Sequence, residues 1–439
     1  MPDSFSTLSD AFAQSPALTS PTVLPSVPVF DTVALAKMVH DARGDLPEPY
    51  RVPYADHLLT RLKSGKFAHV LQQEITDKQS QGFDNEAVLL DAAKVGDTVI
   101  GAVTNWHKTS LRPAMATFSA VGTAISASFG GNEEERLPPL VTFAPTSFWG
   151  PHTINPAKAV PITGSKIGIV SMPWSYADQP LLWIALSHEI GGHDTLNRRP
   201  HLMHELRESF LHDAAFQKKT HGWNSAWCRF LEEATADVCG ILGAGPAFAV
   251  SLIAWLAAVP RAGVTATPLG AATVGMSFFL RGGLINDDHP PDLLRLYSAI
   301  GVVEVLEHLS PATRKSWISR LEAVALEAAG GSKIIDTYDE AGALTRRYDL
   351  STLAEAARAA GHHIATVKLA SLGHKSIQSI KTWTDEDESQ AEAVKAACIA
   401  DQACATTPLH LIAGATLAVF TQGIAYDVAS RWLLAELPG

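Results

Sequence analysis

A chain of 439 residues is long enough to bury a substantial core, and 46% hydrophobic against 18% charged residues excludes a disordered polymer. The net charge of −11, from 34 basic and 45 acidic side chains, argues against a phosphate-backbone partner. No basic patch interleaved with aromatics appears, so nucleic-acid binding is not expected.

Residues 1–30 are rich in Ser, Thr and Pro and carry no Lys or Arg. They lack the basic start and long apolar core of a secretory signal and read as an extended or disordered arm. Periodic Ala/Leu/Glu segments then predict helices within 31–79 and 86–96, with a break at Gly130-Gly131-Asn132. Lys166-Ile167-Gly168-Ile169-Val170-Ser171-Met172 is rich in β-branched residues and predicts a strand ended by Pro173.

The run Ser187-His188-Glu189-Ile190-Gly191-Gly192-His193 follows, and it answers to few uses other than holding a catalytic metal. Zinc helices usually place two His at i and i+4 on one face, with a Glu after the first as base. Here the second His falls at i+5, and on a regular helix two such side chains diverge by about 140°. A π-bulge restores a common face, and Gly191 and Gly192 supply the backbone freedom for it. His six residues beyond His193 would mark the metzincin variant, but that position is Arg199. His204, Glu208 and His212, at i, i+4 and i+8, read as an exposed polar stripe rather than a second metal face.

A catalytic zinc needs a third protein ligand and one open position. Glu233 in Leu231-Glu232-Glu233-Ala234-Thr235-Ala236-Asp237 is the choice. Glu233 and Asp237 stand at i and i+4 on one face, whereas Glu232 points about 100° away, to a supporting position. Asp237 is placed to accept the N–H of a ligating imidazole.

The pair HEIGGH and EEATAD resembles the HExxGH and EExxAE/D motifs of the dipeptidyl peptidase III family of zinc peptidases, over two hexapeptides of the chain, with Thr235 where that family often has Arg. Position by position, the resemblance implies one Zn²⁺ on His188, His193 and Glu233, and Glu189 as the base. It also implies a zincin-like catalytic unit and a peptide or protein substrate. The Glu-x-x-x-Asp spacing is similar to the broader gluzincin pattern.

Such a site hydrolyses peptide bonds through a zinc-bound water whose proton Glu189 receives and passes to the leaving amine. A further donor to the developing oxyanion is expected. His289, in Asn286-Asp287-Asp288-His289-Pro290-Pro291-Asp292, is one candidate, and a plain surface turn with Asp288 as a cap is the other reading of that run. The dipeptidyl peptidase III resemblance favours the first, since that family has a functional His at a similar remove. Tyr176 is a second donor candidate, and Arg295 reads as an anchor for a substrate carboxylate. By analogy with zincins, the 166–172 strand is expected at a sheet edge, where it would hold extended peptide by main-chain pairing. The alternatives are a non-peptide amide metallohydrolase and a mononuclear iron oxygenase, whose His/His/carboxylate set is the same. The oxygenase rarely needs a Glu directly after the first His.

Val238–Val259 carries no charge over a membrane-spanning length, but Gly245-Pro246 breaks it, so it and Leu409–Tyr426 are expected as buried helices rather than spans. Further helices are predicted within 313–329, 351–371 and 389–400, with His362-His363 near a helix end. Cys228, Cys239, Cys398 and Cys404 are too few for a disulfide scaffold. Reduced thiols in a cytoplasmic protein are expected, although Cys398 and Cys404 are near enough in sequence to pair. The expected architecture is mainly α with a small β component: an arm over 1–30, a helical N-terminal unit over 31–135, the zincin-like catalytic unit over 136–300 and a helical C-terminal unit over 301–439.

Overall fold

A computed structural model describes residues 5–19, 30–130, 137–144, 150–196, 198–199, 201–220, 222–261, 289–338 and 344–438. The architecture is mainly helical with two small sheets, as the periodicity predicts. The expected helices appear at Lys66–Ser80, Asn85–Thr104, Pro311–Ala329, Leu350–Thr366 and Asp385–Ala400. Their starts are capped as sequence chemistry requires: Asp84 accepts from the Ala87 amide, and Thr384 forms a reciprocal box with Asp387. One buried apolar cluster runs from Phe5 to Leu437 and is continuous across the expected unit boundaries near 135 and 300.

The beginning of the chain corrects one expectation. Residues 5–19 form helices Phe5–Ala13 and Pro16–Thr19 rather than an extended arm. Phe5, Leu8 and Phe12 recur at i, i+3 and i+7, and all three are buried. Burying each contributes about 1.5–3 kcal/mol, enough to hold a short helix that would be marginal alone. The remainder of the expected arm, 20–29, lies outside the described residues, as do Asn286, Asp287, Asp288 and the Gly131-Asn132 part of the predicted break.

Three strands, β1 (Leu140–Ala144), β2 (His152–Ile154) and β3 (Ile169–Pro173), form a sheet in the order β1-β3-β2. β3 pairs parallel with β1, Leu140 opposite Ile169, and antiparallel with β2, Thr153 opposite Val170. β1 and β3 are buried along their whole length, as strands covered on both faces must be. The strand predicted over 166–172 is therefore central, not an edge. The edge that lies against Ser187–Leu196 is β2. A second, separate hairpin joins Ile334–Tyr338 to Leu344–Asp349.

The site stands on two packed segments. Ser187–Leu196 is a ten-residue π-helix, so the predicted bulge extends through the whole run. It packs along the helix Leu231–Ala244, which is buried from Ala234 onward. That helix stops at Gly245, whose φ of +71° only glycine adopts without strain, and the buried helix Pro246–Arg261 begins there. Pro408–Gln422 is the other buried apolar helix. Among the described residues no helix is long and apolar enough to cross a membrane. All four cysteines are free thiols, Cys398 and Cys404 included.

Candidate metal centre

The i→i+5 bonding of a π-helix sets residues five apart one turn above another, and this brings both motif histidines to one side. His188 Nε2 and His193 Nε2 lie 3.0 Å apart. Glu233 closes the triangle, with Oε2 3.4 Å from His188 Nε2 and Oε1 3.4 Å from His193 Nε2. Ligands bound tetrahedrally at about 2.0–2.1 Å from one zinc stand about 3.3 Å from each other, so these separations fit a single ion. Among the described residues this is the one group of three His, Cys, Asp or Glu side chains so placed.

The two segments approach this closely because of Gly192. A Cβ there would sit 2.3 Å from Ala236 Cα, on the turn of helix that presents Glu232, Glu233 and Asp237. The backbone freedom expected of Gly191 and Gly192 is not spent on a left-handed conformation. Neither adopts a positive φ, and what Gly192 provides is close approach.

Supporting contacts fix the ligand orientations. His188 Nδ1 is 2.9 Å from Asp237 Oδ1, so the neutral ring that donates to Asp237 turns its Nε2 lone pair toward His193 and Glu233. The ring stacks on Phe248, with centroids 6.4 Å apart. His193 Nδ1 faces Glu232 Oε1 at 3.4 Å. Burial opposes charge on both histidines, yet Asp237 and Glu233 raise His188, and Glu232 and Glu233 raise His193 well above the ordinary imidazole range. Burial likewise opposes ionisation of Glu233, but His289 and the two histidines hold it well below the usual carboxylate range.

Glu189 is buried beside the triangle, and Thr153 on β2 donates from Oγ1 to its Oε2 at 2.7 Å. His289 is half-exposed, with Nε2 3.5 Å from Glu233 Oε1. Tyr176 is buried and its hydroxyl accepts from Trp255 Nε1 at 2.8 Å. Burial pushes that phenol's pKa up, which keeps it protonated.

Arg295 departs from expectation. Its guanidinium is buried and donates twice to Asp237, from Nε and Nη2, each at 2.7 Å, while Nη2 is 4.0 Å from Glu233 Oε2. It orders the carboxylate that orders His188, and that bidentate contact commits its Nε and Nη2 to Asp237. His204 and His212 stay outside the centre; His212 Nε2 pairs instead with Glu208 at 3.1 Å on an exposed helix face. His363 packs on Phe210 and Phe216.

His188, Glu189, His193, Glu232, Glu233, Tyr176, His289 and Arg295 line a cavity of about 600 Å³, and Asp237, His204, Glu208, His212 and His363 do not. Sequence reasoning missed Thr153, Phe248 and Lys94 on its wall. Thr153 sits in a three-residue strand too short for a periodic signal, and Lys94 looks like one more solvated lysine on the helix Asn85–Thr104. Set against protein-family models, curated proteins and solved structures, the chain matches none of them, so the reading of this centre rests on its own geometry.

Proposed function

We propose that the protein is a zinc-dependent metallopeptidase of gluzincin character. The observation that carries this reading is the His188, His193 and Glu233 triangle facing a cavity with an adjacent carboxylate, Glu189, that is not one of the three. A divalent ion held there supplies Lewis-acid polarisation of a carbonyl and an acidified water at neutral pH.

The chain's own residues do the rest. Thr153 aims the Glu189 carboxylate, which takes the proton of the attacking water and returns it to the leaving amine nitrogen. His289, at the cavity wall, donates to the carbonyl oxygen as charge develops on it. The Asp237–Arg295 pair keeps His188 in the tautomer that leaves Nε2 for the ion. β2 lies beside the π-helix at the sheet edge, and Pro151, His152 and Thr153 line the cavity, so an extended peptide can pair with that edge.

The separate base favours hydrolysis over oxygen chemistry at the same ligand set. Metal analysis of the purified protein joined to a peptide-library cleavage profile tests this. Stoichiometric zinc with cleaved peptide bonds is the expected result; bound iron with oxygen consumption overturns it.

A further inference from the structure

The chain is acidic as a whole, yet its cavity is not. Five cationic side chains line it, Lys94, Lys158, Arg207, Arg229 and Arg295, against three carboxylates, Glu189, Glu232 and Glu233. A bound divalent ion makes the balance more positive still. Arg295 is taken by Asp237. The side chains of the other four make no hydrogen bond or ion pair with any described residue, although ion pairs are frequent elsewhere on the molecule.

These four come from separate parts of the chain. Lys94 projects from Asn85–Thr104, Lys158 from Pro156–Thr163, Arg207 from Leu202–His212 and Arg229 from the end of Asn224–Arg229. Lys158, Arg207 and Arg229 are exposed, whereas Lys94 is partly buried. Burial lowers the pKa of the Lys94 ammonium, and the fields of Asp91, which is bonded by Lys78, and of Glu189 and Glu233 only partly offset it; Lys94 also bears on His152. Withdrawing an ammonium from water without a partner is unfavourable, and a concave wall of low dielectric focuses the field of such charges.

We propose that the substrate brings the missing partner: a peptide carboxylate received by Lys94, with Lys158, Arg207 and Arg229 drawing acidic peptides to the cavity. This rests on the metallopeptidase reading for the bond that is cut, but not for the charge that is bound.

The test uses peptide pairs that differ only as Glu against Gln, all C-terminally amidated, with a third set carrying Gln and a free C-terminus to separate side-chain from terminal carboxylate. Wild-type protein is expected to favour one carboxylate-bearing set in kcat/KM by about tenfold or more. Lys94→Met should bring that ratio toward one, and Lys94→Arg should restore part of it. Because Lys94 is partly buried, Arg207→Gln with Arg229→Gln provides a second reading on exposed positions, where a drop of about two- to fivefold in the ratio is expected. Calorimetric binding of the same peptides to zinc-loaded Glu189→Gln reads the preference without cleavage. Carboxylate-selective binding with no cleavage by wild type sinks the peptidase reading alone. Cleavage or binding indifferent to the carboxylate, a ratio unmoved by Lys94→Met, or no peptide binding sinks this proposal.

Discussion

Two histidine–aspartate pairs in this molecule share nearly the same geometry and serve opposite ends. His188 Nδ1 meets Asp237 at 2.9 Å in the candidate metal centre, and His410 Nε2 meets Asp387 at 2.8 Å where the helices Asp385–Ala400 and Pro408–Gln422 pack. The difference lies in the second nitrogen. His410 Nδ1 is satisfied locally by Thr406 Oγ1 at 3.0 Å, so the ring is spent inside the fold. His188 Nε2 instead faces His193 and Glu233 across a cavity. An imidazole becomes a ligand because its orienting partner leaves one lone pair pointed at other donors, and burial with a carboxylate is not enough.

The largest effect should separate chemistry from binding within the first region. Glu189→Gln is expected to lower peptide turnover by about 10² to 10⁴ while zinc content stays at the wild-type level. Turnover unchanged in this variant removes Glu189 as the base.

Arg295→Met probes the ordering pair. It leaves Asp237 buried without its cation and should cost about 3–5 kcal/mol in denaturant unfolding. Asp237→Asn should weaken zinc affinity about 10- to 100-fold in a chelator competition, whereas Asp387→Asn should not change it. Equal zinc affinity in both Asn variants would erase the distinction drawn between the two pairs.

Gly192→Ala tests the close approach. The added methyl meets the backbone of Ala236, so a loss of about 1–3 kcal/mol is expected, with weaker zinc binding as the helices part. A melting curve matching wild type would mean the helices need not be so close.

The smallest effect belongs to the second pair and reads out in pH. Burial opposes ionisation of Asp387, but its bond from His410, the field of Lys381 and bonds from Thr384 outweigh it and hold the pKa at about 2, below 3.8. A carboxylate lowered on folding stabilises the protein above its unfolded pKa and loses that contribution as pH falls through the folded one. The pair should therefore contribute on the order of 1 kcal/mol at neutral pH, lost between pH about 4 and about 2, with the partial exposure of Asp387 reducing the figure. Asp387→Asn should flatten that part of the stability curve relative to wild type, which acid titration of unfolding measures.

What was legible in the sequence follows the range of each interaction. His188, Glu189 and His193 declare themselves within six residues, and Glu233 with Asp237 within one helical turn, because metal chemistry demands those types at those spacings. Arg295 reaches Asp237 across 58 residues, and nothing local in the sequence announces that pairing. Thr153 reaches Glu189 across 36 residues from a strand too short to announce itself. The N-terminal helix is a different case. Phe5, Leu8 and Phe12 carried the helical period, but the Ser, Thr and Pro around them looked like an unfolded tail.

One measurement bears most directly on the central claim that His188, His193 and Glu233 hold a single ion. Zinc is counted per chain after equilibration in a chelator-buffered solution, for wild type, His193→Ala, Glu233→Gln and His410→Ala. One zinc is the expected result in wild type and in His410→Ala, with little or none in His193→Ala and a sharply reduced content in Glu233→Gln. A wild-type chain without zinc, or a His193→Ala chain that retains it in full, would mean that these three side chains do not hold the ion.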